Sequence, residues 1–266
     1  PRDNFFHCLV NAAHQFHIRE KNDDRYLLAG YPWFKCRARD TFISLPGLTL
    51  AIDEQDYFEF VMKTASKALR EFMAGKPVTG KIYEIDQPDV PLWAIWSIQQ
   101  YAKFAGKERC TEMYGQLLEE IIHYIIDGNH PNLRLDDNGL LYSDGRDKAI
   151  TWMNSTAYGR PVVPRSGYIV EFNALWYNAL KFCASIASGN GREREAADLE
   201  ELAKVCGESF VGTFLNEYGY LYDYVDGNMV DWSVRPNMIF PVAFDYSPLS
   251  KEQKRSVLDI CTRELL

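Results

Sequence analysis

From Tyr168 to Ser188 the chain carries Ile169, Phe172, Leu175, Trp176, Leu180, Phe182, Cys183 and Ile186 at helical spacing. They cover more than one face, and a helix that is apolar nearly all round must be buried. The rest of the chain must therefore supply elements to pack around it. The stretch leading in is irregular, because Pro161 and Pro164 fix φ and exclude a regular helix there. Residues 151–180 also gather Trp152, Arg160, Arg165, Tyr168, Glu171, Asn173, Trp176 and Tyr177. Glu171 falls in the first turn of the helix, just after two arginines. A carboxylate there is either a complement to the helix dipole or a working acid.

The elements available for packing are mostly helices too. Residues 3–20 place Phe6, Leu9, Val10, Ala13, Phe16 and His17 at helical spacing. Tyr57, Phe60, Val61, Thr64, Ala68, Leu69 and Phe72 do the same over 55–74. Leu92, Ile95, Trp96, Ile98, Tyr101, Ala102 and Phe104 repeat it over 91–105, where Pro91 suits a first turn. Met113, Leu117, Leu118, Ile121, Ile122 and Ile125 mark a helix over 110–127, and another covers about 193–215. The last begins at Ser247 or Ser250, since Ser250 and Gln253 have capping-box spacing. No Gly or Pro stops it before Leu266, so the chain is expected to be cut there, as the missing initiator Met suggests at the other end.

Hairpin chemistry separates the helices. Asp136-Asp137-Asn138-Gly139 runs into Leu140-Leu141-Tyr142, and Asp226-Gly227 lies between Tyr220–Tyr224 and Met229–Trp232. With no linker or sequence repeat, the expected architecture is stacked helical hairpins in one all-α domain over residues 1–266.

Charge and composition exclude several functions. A net charge of −8 argues against nucleic acid and anionic membrane surfaces as partners. No apolar run approaches the roughly 20 residues that span a bilayer, and the N-terminus has no signal pattern. Cys8, Cys36, Cys110, Cys183, Cys206 and Cys261 are scattered, so reduced thiols in a cytoplasmic protein are expected. Tyr and Trp, at 16 and 6 residues, suit sugar faces as well as a core, and most belong to the core.

Several motifs carry little. Gly75 to Lys81 matches most of a phosphate loop, but Ile82 stands where Ser or Thr should be and a helix precedes it. His14 and His17, with His7 behind them, lie on one flank of the first expected helix. No third or fourth ligand is identifiable from the sequence, so no metal is assigned. The Asn154-Ser155-Thr156 sequon has no secretory context. No nucleophile elbow or Cys/His pairing occurs.

Acidic and aromatic clusters carry more. Tyr31, Trp33, Arg37, Arg39 and Asp40 precede a helix expected from Thr41. Asp40 is either its N-cap or, paired with Arg39, a binder of sugar hydroxyls. Asp86, Asp89, Trp93 and Trp96 gather at the next helix start, where capping and core packing compete with a binding role.

In order, Gly30-Tyr-Pro-Trp-Phe, Arg39-Asp-Thr-Phe-Ile-Ser-Leu-Pro-Gly, Thr151-Trp-Met, Pro164-Arg165, Val170-Glu-Phe-Asn-Ala-Leu-Trp-Tyr-Asn-Ala-Leu and Arg235-Pro-Asn237 closely resemble the amylo-α-1,6-glucosidase domain of glycogen debranching enzymes, which is related to the glucoamylase type. The resemblance runs from about residue 26 to 266. It implies an (α/α)6 barrel, incomplete at the C-terminus, with the sugar site on a loop-rich face where distant segments converge. By that resemblance Arg39 and Asp40 bind the terminal glucose, Asp89 lies beside the site, and Trp33, Trp152 and Arg165 line the pocket. It implies a branched α-glucan substrate, glycogen or limit dextrin, no cofactor, and inverting hydrolysis with a base expected beyond Leu266.

One position departs from the family. The Asp that follows Thr-Trp-Met and looks like the general acid is here Asn154, which cannot donate a proton as a carboxylic acid does. Either Glu171 takes that role, which requires burial to raise its pKa against the helix dipole, or the chain is a catalytically impaired, carbohydrate-binding pseudo-glycosidase. A helical-barrel sugar epimerase is the third alternative, disfavoured by the lack of His in the motif stretches.

Overall fold

The computed structural model describes residues 2–266. The chain folds as two compact units, the first ending at Leu117 and the second running from Leu118 to Leu266. Nine α-helices dominate the described residues, with short strands in the connections.

The first unit contains α1 (Arg2–His14), β1 (His17–Arg19), β2 (Arg25–Leu27), α2 (Ala38–Leu48), α3 (Gln55–Met73), α4 (Val90–Ala105) and the first half of α5 (Lys107–Ile126). The helix expected over 3–20 is therefore shorter. It stops at His14, and His17–Arg19 pairs antiparallel with Arg25–Leu27. Turn chemistry in Asn22-Asp23-Asp24 outweighs the apolar spacing, and Asp23 takes a left-handed φ of 72° that Asp tolerates.

Phe58, Val61, Met62, Ala65, Ala68 and Leu69 form the buried stripe of α3. Phe60, expected on that stripe, is instead exposed and lies under the Arg25 guanidinium, 5.4 Å from its ring centroid. In α4, Leu92, Ile95, Ile98 and Tyr101 are wholly buried. α2 packs on α4 through a face that includes Phe42 and Leu45.

In the second unit come β3 (Arg134–Leu135), β4 (Leu141–Ser143), β5 (Thr156–Ala157), β6 (Arg160–Pro161), β7 (Gly167–Ile169), α6 (Val170–Gly189), α7 (Glu193–Phe214), β8 (Tyr224–Asp226), β9 (Met229–Val230), a short α8 (Phe240–Ala243) and α9 (Lys251–Leu265). α6 is the helix expected from Tyr168, and its burial nearly all round is as the sequence implies. Its start differs. Tyr168 and Ile169 belong to β7, which pairs with β4 and β8 in an antiparallel sheet of order β3-β4-β7-β8-β9.

α6 and α7 form the tightest helical hairpin of this unit. Both expected β-hairpins are present, with Leu135 opposite Leu141 and Asp226 opposite Met229. The Ser250 capping box closes as expected, with Gln253 N–H donating to Ser250 Oγ at 3.2 Å and Ser250 N–H to Gln253 Oε1 at 2.7 Å. No helix among the described residues is long and apolar enough to cross a membrane. All six cysteines are free thiols, Cys8 exposed and the other five buried.

Candidate functional site

Each unit holds one buried ionic cluster, and both clusters involve residues singled out in the sequence. In the first unit α2 begins at Ala38, three residues earlier than expected, so Asp40 sits in its first turn rather than at the N-cap, which is Arg37. Adjacent helix positions do not face one another, and Arg39 and Asp40 diverge accordingly. Asp40 is exposed, whereas Arg39 is buried and forks onto Asp89. Arg39 Nε donates to Asp89 Oδ2 at 2.7 Å and Nη2 to Oδ1 at 2.8 Å. Burial works to lower the Arg39 pKa, but the Asp89 carboxylate outweighs it and the net shift is upward.

Asp89 holds the N-cap position of α4, but its carboxylate makes no capping bond. It is used instead on Arg39 and on Trp93, whose Nε1 donates to Oδ2 at 3.1 Å. Trp33 lies on the loop before α2 with 83% of its surface exposed, leaving an aromatic face open to solvent.

In the second unit the network is larger. Two glycines permit close backbone approaches beside it. A Cβ at Gly145 would stand 2.0 Å from the Arg165 carbonyl, and one at Gly167, whose φ is +94°, would stand 2.2 Å from that of Val225. Arg165 is 2% exposed, and its guanidinium meets two carboxylates. Nη1 donates to Glu171 Oε1, Nη2 to Oε2 at 2.6 Å, and Nε to Asp223 Oδ2 at 2.8 Å. Asp223 in turn accepts from Arg235 Nη1 at 2.7 Å and from Asn237 Nδ2 at 2.7 Å. Asn237 Oδ1 accepts from Trp152 Nε1 at 2.8 Å. Trp152, half exposed, is thus tied through Asn237 and Asp223 to Arg165 and Glu171. Asn154, two residues beyond it, is exposed.

The charges in this network do not balance. Glu171, Asp223 and Asp231 are three carboxylates served by two guanidiniums, since Arg235 also bonds Asp231 at 2.8 Å. Burial therefore pushes the Glu171 carboxyl above its ordinary range, with Arg165 opposing and the Asp223 charge adding to the rise. For Asp231 burial also works upward, but bonds from Ser233 and Arg235 prevail and hold it low. A buried carboxyl with a raised pKa can hold a proton.

Sequence reasoning missed Asp223 altogether. It gave Asn237 no role, although Arg235-Pro-Asn237 was among the motif stretches. The ion pair that Arg39 makes is with Asp89, bidentately, and not with the adjacent Asp40.

A mostly helical chain that buries carboxylates and guanidiniums in two clusters and leaves Trp33 and Trp152 open to solvent fits a glycoside-hydrolase-related domain. The family model described as amylo-alpha-1,6-glucosidase matches residues 11–266, and the chain belongs to that family. A comparison with curated proteins found no match.

Proposed function

We propose that this chain acts on branched α-glucans as a single glycosidase-type domain of (α/α)6 build, hydrolysing the α-1,6-linked glucose at a branch with inversion. Membership of the family over residues 11–266 carries the proposal. Glu171 is the proton donor to the glycosidic oxygen. As the carbon–oxygen bond breaks, a water deprotonated by a general base attacks the anomeric carbon from the opposite face, and glucose leaves with inverted configuration. The raised pKa of Glu171 supports the assignment. Within the second unit Trp152 offers a ring face to the sugar and Arg165 orients the acid; within the first, Trp33 offers a ring face and Arg39, Asp40 and Asp89 are the groups proposed for hydroxyl recognition.

The test is glucose release from a branched dextrin, with the product's anomeric configuration read by NMR. The protein is expected to release β-glucose. Glu171→Gln is expected to lose about 100-fold or more in kcat and the alkaline limb of the pH–rate profile. A variant that loses rate but keeps the limb would give Glu171 a positioning role, and undiminished activity would remove it from the mechanism.

A second reading is favoured by one observation, that both oxygens of Glu171 are engaged by Arg165, together with Asn154 standing where the resemblance expects an acidic Asp. The chain would then be a glucan-binding pseudo-glycosidase. Saturable binding of maltooligosaccharide without glucose release, and glucose release regained in Asn154→Asp, would establish it.

A further inference from the structure

The histidines left unassigned in the sequence acquire a third partner in the first unit. His14 ends α1, His17 opens β1, and Glu54 immediately precedes α3. One ligand atom from each lies within 4.8 Å of the others. His14 Nε2 is 2.5 Å from Glu54 Oε1, and His17 Nδ1 is 3.8 Å from Glu54 Oε2. The sequence concealed the trio because its acid lies 40 residues beyond His14.

The surroundings of His17 are those of a ligand rather than of a casual contact. Its Nε2 lies 2.9 Å from the Leu48 carbonyl, which can only accept, so Nε2 carries the proton and Nδ1 turns its lone pair toward Glu54. A carbonyl that fixes the tautomer of a histidine in this way is the usual outer partner of a metal-ligating imidazole. The ring also stacks on Tyr57, at 3.9 Å and 12°, and Tyr57 Oη donates to Ile18 O at 3.2 Å. Ring orientation is therefore set from both the edge and the face.

We propose that His14, His17 and Glu54 bind a divalent transition-metal ion of the zinc class. Two imidazoles and one carboxylate match zinc's preference for nitrogen and oxygen donors, and differ from the all-oxygen sets that calcium and magnesium prefer. Bonds of about 2.1 Å at the tetrahedral angle separate ligand atoms by about 3.4 Å. The three ligand atoms already lie within 4.8 Å of one another, so a swing of the Glu54 carboxylate, 34% exposed, brings one of its oxygens toward that spacing from both rings. The His14 side chain is 43% exposed, and a cleft of about 610 Å³ lined by His17, Asp53, Glu54 and Asp56, with Arg19 and Arg25, gives the ion a way in and leaves a fourth position for water. The ion would clip α1 and the β1–β2 ribbon to the start of α3.

Chelator-treated protein titrated with zinc against a chromophoric competitor, and separately with cobalt(II), tests this. One ion per chain is expected, with a cobalt visible spectrum lacking a thiolate charge-transfer band. His14→Ala and Glu54→Gln are each expected to weaken binding by at least the 10–100-fold typical of losing an outer partner. Zinc is expected to raise the thermal midpoint of the wild type but not of either variant. Circular dichroism checks that both variants fold, and His14, being exposed, can be truncated without loss of core. Unchanged affinity in either variant, a thiolate band from cysteine, or no binding at about 100 µM zinc would each overturn the proposal, leaving a purely hydrogen-bonded trio.

Discussion

Glu171 is subject to opposing forces. Removal from water favours its neutral form and Arg165 favours its charged form, and the net shift is upward because burial is the larger effect, with the Asp223 charge adding to it. Its folded pKa thus exceeds the unfolded value. The resulting stability is fully present below the unfolded pKa and is lost as pH rises through the folded one. Urea unfolding of wild type and Glu171→Gln across pH 4–8 should show the wild type losing ground to the variant as pH rises. An advantage that grows with pH would mean that Arg165 holds Glu171 ionised. Arg165→Leu is expected to be far more damaging, at about 3–5 kcal/mol, because it takes the guanidinium from buried Glu171 and leaves Asp223 to Arg235 and Asn237; a loss below about 1 kcal/mol in the same assay would contradict the network's importance. Little of this was legible in the sequence. Glu171 was, because it lies six residues from Arg165 in a motif-rich stretch. Asp223 and Glu54 were not, since their partners lie 58 and 40 residues away and no local pattern encodes such pairings.

Elements were more legible than partners, because helical periodicity is a local signal. α3, α4, α5, α7 and α9 appear within a few residues of their expected ends. The misplaced boundaries lie where strands of three residues replace a helical end, at His17–Arg19 and Gly167–Ile169, since so short a strand cannot display alternation. The hairpin that pairs with the second of these strands is held by side chains of α6. Asn173 on α6 accepts from Leu141 N–H at 2.7 Å and donates to its carbonyl at 3.1 Å, and Trp176 Nε1 donates to Gly139 O at 3.2 Å. The expected hairpin at Asn138-Gly139 is thus fastened to the central helix by the stretch that carries the family resemblance. Gly167→Ala should destabilise the protein by more than about 1 kcal/mol, because its φ is left-handed and the added methyl meets Val225 O. A thermal midpoint unchanged from wild type would show that β7 and β8 can separate at no cost. Ser250→Ala should cost about 1 kcal/mol through loss of the α9 capping box, measured in the same melt.

On the scale of the whole molecule, the decisive property is charge. The chain carries 37 acidic and 29 basic side chains, a net −8. Many of the basic groups are already committed to carboxylates, as in Arg39–Asp89, Arg165–Glu171, Arg192–Glu119 and Lys181–Glu200. A polyanion would meet net repulsion, whereas a neutral glucan does not. Recognition of a neutral sugar releases no counterions, so its affinity has no strong dependence on ionic strength. Under the proposed function, the dissociation constant of a maltooligosaccharide should therefore change by less than about twofold between about 50 and 500 mM NaCl, conditions that weaken phosphate recognition by orders of magnitude. Isothermal titration at several salt concentrations measures this directly. A steep fall in affinity with salt would mean that the true ligand is charged, and would shift the assignment away from a neutral glucan whatever the family resemblance implies.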